Sequence, residues 1–144
     1  MVSADFCYEA NKLGCAELAI NLIREAPDNA ERVKHALNLI KGLVGNDDVK
    51  HRLLTVFNVE EDVVIALQKH YSNDFTALAA LRCITALALR NPDAAVNIVK
   101  LNGAEAMINA LNEHGDSKMI SRAGNFIIEH LKIKNINVTT VNFV

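Results

Sequence analysis

The sequence predicts an all-α protein built as a stack of about three equivalent helical layers. Three observations carry that prediction. The first is the stretch from Phe75 to Pro92, FTALAALRCITALALRNP, in which only Thr76, Arg82, Thr85 and Arg90 interrupt a run of Ala, Leu, Ile and Cys. Such a run of good helix formers makes a helix buried on most of its sides, which needs other helices on both flanks. The second is that similar helices recur at a step of 44 residues: Ala36–Leu43, Ala80–Leu87 and Gly124–Leu131. The third is composition. The chain is 51% hydrophobic with 5% aromatic residues, no Trp, six Gly and two Pro, a balance suited to close-packed helices joined by short loops.

The recurrence extends through each unit. Ile40, Ile84 and Ile128 share one column, and Leu43, Leu87 and Leu131 another. Small residues, Ala36, Ala80 and Gly124, head each copy. Upstream, Ile20 and Ile23 correspond to Val64 and Leu67, then to Ile108 and Leu111. Glu17, Glu61 and Glu105 fall near the start of that shorter helix, where an acid interacts favourably with the helix dipole. Before it, Phe6–Gly14 resembles Val96–Gly103, with Arg52–Val59 as the middle copy. Gly14 and Gly103 read as helix C-caps, the middle copy having Val59 at that place.

Each unit therefore reads as a short, a medium and a long helix. Start signals lie between them. Asp28 precedes Glu31 at capping-box spacing, Asp74 and Asp116 or Ser117 stand before the later long helices, and Asn91-Pro92 and Asn46-Asp47-Asp48 open the short ones. The whole chain, residues 1–144, is read as one domain with repeats at about 5–45, 46–90 and 91–133 and a tail at 134–144. The β-branched residues and asparagines of that tail weaken any helix there.

Charge and cysteine content narrow the function classes. Fifteen basic against seventeen acidic residues give a net charge of −2 and no basic excess, so no nucleic-acid partner is expected. The long apolar run is interrupted by Arg82, and no membrane span is expected. Three cysteines without a CxxC pair read as reduced thiols, and the N-terminus lacks a signal-peptide pattern. A cytoplasmic or nuclear location follows as the expectation. The Asn137-Val-Thr139 sequon reads as a chance match.

Three helices per unit at a period in the low forties is the pattern of armadillo and HEAT arrays. The residues favour the former: Asn102-Gly-Ala-Glu-Ala-Met-Ile-Asn-Ala-Leu111 resembles the armadillo turn and medium helix, and Leu37–Asn46 resembles the end of its long helix with the following Gly-Asn. The resemblance covers about residues 5 to 131. It implies a right-handed α-α superhelix, an armadillo-like solenoid, whose long helices line a concave groove for extended peptides. Nuclear-import members carry a Trp and, four residues later, an Asn on the long helix. Here the corresponding positions hold Asn38, Arg82 and Phe126, then Gly42, Ala86 and His130, so no importin-like ladder is expected.

Carried onto this chain, the groove column contains His35, Asn38, Arg82, Phe126 and His130. As a recognition surface, Arg82 would clamp a carboxylate or a carbonyl and Phe126 would be an apolar anchor. The plainer reading is a solvated helix face with Phe126 packed on a neighbour. Five histidines show no HExxH or paired CxxC spacing, so neither a metal nor any other cofactor is expected. No GxSxG, P-loop or dinucleotide glycine pattern points to catalysis. Cys83 shares an apolar column with Leu39 and Ile127 and reads as a structural thiol rather than a nucleophile.

The expected function is a non-catalytic protein-binding scaffold or adaptor for a protein or extended peptide segment. A second reading is a structural or regulatory subunit that forms homo-oligomers through its terminal repeats. Phe6 and Tyr8 at one end, and Met119, Ile120, Phe126 and Ile127 at the other, are expected to be exposed. An enzyme ranks last.

Overall fold

The structure, a computed structural model, describes residues 14–133. Eight helices fill that span: α1 (Cys15–Glu25), α2 (Ala30–Leu43), α3 (Asp47–Thr55), α4 (Val59–His70), α5 (Asp74–Ala88), α6 (Pro92–Lys100), α7 (Gly103–Glu113) and α8 (Lys118–Ile133). No strand occurs among the described residues. The all-α prediction holds. Phe6, Tyr8, Cys7, the Asn137 sequon and the tail lie outside the described residues.

The long helices pack in sequence, α2 on α5 and α5 on α8. The medium helices do the same, α1 on α4 and α4 on α7. Each layer therefore covers the apolar side of the next, and one continuous core runs through the stack. The columns read from the sequence are buried at each level: Ile40, Ile84 and Ile128, then Leu43, Leu87 and Leu131. Ala36 and Ala80 are fully buried near the middle of their helices. In α7 the equivalents Ile108 and Leu111 are only half-buried, since no further described layer covers them.

Helix starts follow the same step, but α2 and α5 are capped by the neighbours of the residues expected. Asn29 caps α2, its side chain accepting from Arg32 N, and Asn73 caps α5, accepting from Thr76 N. Ser117 Oγ accepts from Ile120 N at the start of α8. Asp28 and Asp74 are one residue too early or too late for this work. Asp28 pairs with Lys69 Nζ across the layers at 3.1 Å, and Asp74 accepts from its neighbour Phe75 N. Asn46 does cap α3, accepting from Val49 N at 3.1 Å. Asn91 stands at the N-cap of α6 before Pro92 but makes no side-chain cap bond.

The medium helices are entered through a left-handed residue each time: Gly14 (φ 79°), Asn58 (φ 50°) and Asn102 (φ 66°). This corrects the pairing of Gly14 with Gly103. The residue equivalent to Gly14 is Asn102, and Asn is the non-glycine residue that adopts this region most readily. Gly103 is the first residue of α7, and close approach explains it: a Cβ there would lie 2.6 Å from the Ile98 carbonyl oxygen.

Polar links also run between layers. Arg24 donates from Nε and an Nη to the two carboxylate oxygens of Asp62, at 3.0 and 2.9 Å, and to Phe57 O at 2.8 Å. That hydrogen bond to Asp62 holds the guanidinium pKa above its usual value. Thr76, wholly buried, donates its hydroxyl to Ala30 O at 3.1 Å and ties the start of α5 to the start of α2.

Candidate functional site

The three long helices leave an open groove of about 620 Å³ between them. From α2 comes Lys41. The last two turns of α5 and the residue after it supply Arg82, Thr85, Ala86 and Leu89. The start and centre of α8 supply Met119, Arg122, Ala123 and Phe126. These positions are set by helical spacing: Thr85, Ala86 and Leu89 follow Arg82 by three, four and seven, while Arg122 and Met119 precede Phe126 by four and seven.

The floor of the groove is aliphatic and its charged groups are all cationic: Lys41, Arg82 and Arg122, one from each helix. Among the described residues no carboxylate lies within ion-pair distance of any of the three. Met119 and Phe126 are 55% and 57% exposed, a large apolar area left open beside these cations. Thr85 spends its hydroxyl proton on Leu81 O at 3.0 Å, so its oxygen presents an acceptor.

The structure brings Arg82 and Phe126 together in this groove. His130 is not part of it. It lines a second hollow of about 580 Å³ on α8, with Arg122, Asn125, Phe126 and Glu129. His35 and Asn38 are exposed on α2 and line neither, and His35 Nε2 faces Glu31 at 3.7 Å. Lys41 and Arg122 were not singled out from the sequence, and Met119 was expected only as an exposed residue of the last layer. The i−4 and i−7 steps from Phe126 would have found Arg122 and Met119, while Lys41 requires the relative height of α2 and α5.

Cys83 is fully buried, and burial pushes its thiol up to about 12, which leaves negligible thiolate at neutral pH. Among the described residues no group of His, Cys, Asp and Glu is arranged to hold a metal ion. No helix among them is long and apolar enough to cross a membrane. A third, more polar hollow of about 370 Å³ is lined by Asp47, Lys50, His51, Leu54, Arg90 and Asn91. There Lys50 donates to Leu89 O at 3.0 Å and closes the end of α5; burial, opposed by Asp47 and reinforced by Arg90, lowers its pKa.

Of the exposed residues expected at the last layer, Met119 and Phe126 are open as anticipated. Ile120 and Ile127 are buried, because they lie on the face of α8 turned into the core.

Over 97 residues the chain is 28% identical to armadillo repeat-containing protein 6 of Pongo abelii, and to the same extent to that of Homo sapiens. The chain is similar to an armadillo-repeat protein. The match takes in 62% of this chain and 19% of each relative, so the chain spans under a fifth of the armadillo repeat-containing proteins it matches. No protein-family model matches it, and no solved structure does. The armadillo-type likeness agrees with the all-α stack of short, medium and long helices.

Proposed function

We propose that this chain is a non-catalytic repeat scaffold that binds a segment of a partner protein in the groove between α2, α5 and α8. One observation carries the reading: large apolar side chains, Met119 and Phe126, stand open along a preformed groove instead of packing into the core. A rigid helical wall limits the ordering cost of binding. The armadillo-type likeness supports a scaffold in preference to an enzyme. A location in the cytoplasm or nucleus accompanies this reading, in keeping with Cys15 and Cys83 as free thiols.

The test is comparative affinity capture from a cell extract with the wild-type chain, the Arg82→Glu/Phe126→Ala variant, and Asn38→Ala as a control outside the groove. Partners retained by wild type and Asn38→Ala but lost by the groove variant are the expected result. Equal retention by all three would remove the groove from the account.

A second reading, self-association through the last layer, draws on Phe126, which also reaches the hollow on α8 beside His130. Sedimentation over a concentration series decides it, and a monomer throughout excludes it.

A further inference from the structure

We infer that the groove takes a short acidic protein segment that carries an apolar side chain. This rests on the groove as a protein-binding surface and adds the chemistry of what it binds. Carboxylates of the segment meet Lys41, Arg82 and Arg122, and its apolar group lies against Met119, Phe126 and Leu89.

The charge pattern is the first ground. Several cations elsewhere are paired with carboxylates: Arg24 with Asp62, Arg52 with Glu17, Lys69 with Asp28, Lys34 with Glu31. In the groove three cations from three helices line one hollow, and no acidic residue joins them. The chain as a whole is acidic, with a net charge of −2, so this local excess runs against the composition. Like charges gathered around an apolar floor repel one another, and an anionic segment relieves that repulsion while offering Arg the fork-shaped acceptor it fits.

The second ground separates a peptide from a nucleic acid. Five of the nine lining residues are apolar, and one, Phe126, is aromatic. Single-stranded nucleic acids are held by successive aromatic platforms along a continuous basic track. One ring and three cations around aliphatic residues suit carboxylates flanking a Leu-like or Phe-like side chain. Basic peptides meet three charges of their own sign.

The experiment uses the whole chain and fluorescence anisotropy with four labelled probes: a Glu/Asp-rich nonapeptide with a central Leu, its twin with Ser for Leu, its twin with Lys for every acid, and an oligouridine. The acidic Leu peptide is expected to bind about tenfold or more tighter than either twin, a gap of about 1.4 kcal/mol, and to weaken as salt rises. Arg82→Glu and Arg122→Glu are each expected to cost about tenfold, and the double reversal is expected to prefer the Lys peptide. All these positions are exposed, and circular dichroism confirms that each variant keeps its helices. If wild type prefers the Lys peptide and Phe126→Ala weakens that binding, the groove holds protein segments but the acidic assignment is wrong. If oligouridine binds best, the assignment is equally wrong. If no peptide binds, or Phe126→Ala changes nothing, both the assignment and the groove reading fail.

Discussion

His114 donates from Nε2 to the carbonyl oxygen of Tyr71 at 2.7 Å, and one layer earlier His70 makes the same bond to Pro27 at the same distance. A carbonyl oxygen only accepts, so both imidazoles carry their proton on Nε2. Each bond joins the end of a medium helix to the loop before the long helix of the preceding layer, and the two are one 44-residue step apart. Replacing buried His70 by Ala leaves the Pro27 carbonyl without this donor and is expected to cost about 1–3 kcal/mol. The half-buried His114 is expected to cost about 1 kcal/mol. Urea denaturation of both variants checks this, and losses below the error of the method would show the bonds to be incidental.

The left-handed positions make a second prediction. Gly14→Ala places a Cβ at φ 79° and is expected to destabilise by about 1–2 kcal/mol. Asn58→Gly and Asn102→Gly meet no such penalty and are expected to change stability by less than about 1 kcal/mol. Equal losses at all three positions would disprove their equivalence.

Much of this architecture was legible in the sequence because burial repeats in letters: Ile40, Ile84 and Ile128 look alike and lie alike. The left-handed column was not, because its residues are Gly, Asn and Asn. Matching glycine to glycine shifted the register by one and set Gly14 against Gly103. The caps of α2 and α5 were missed for a related reason: Asp28 and Asn29, like Asn73 and Asp74, are adjacent residues of nearly equal capping strength. The groove was legible only along single helices. Arg82 and Phe126 could be placed from their column, whereas His35 and Asn38 share that helix face yet lie clear of the hollow, and Lys41 enters it from a third helix.

Close approach rather than conformation explains Gly103. Gly103→Ala would bring a Cβ to 2.6 Å from the Ile98 carbonyl oxygen, and a backbone atom cannot rotate away. A loss of about 1–3 kcal/mol is expected, measured as a lower midpoint in urea. A neutral result would mean that the α6–α7 turn yields easily.

Alkaline stability reports on Cys83. Its ordinary value is 9.0, and burial raises it to about 12 in the folded chain. Between those pH values the unfolded chain releases this proton and the folded chain keeps it. Stability therefore falls as pH rises through that window, by about 1.4 kcal/mol per pH unit from this group. Lys50 acts with the opposite sign: burial lowers its value, so the folded chain releases a proton more readily and gains stability as pH rises toward 10.5. Comparing wild type with Cys83→Ala isolates the thiol, since Lys50 is common to both. A shallower alkaline loss in the variant is expected, and parallel slopes would show the thiol open to solvent.

Among the described long helices, α5 alone has a counterpart on each side, α2 against one flank and α8 against the other. To expose its amides, one of those two must first come away. Hydrogen exchange should accordingly be slowest at the centre of α5 and quicken outward in both directions, so that a partner lying across the hollow would act as a clasp and slow the outer helices most.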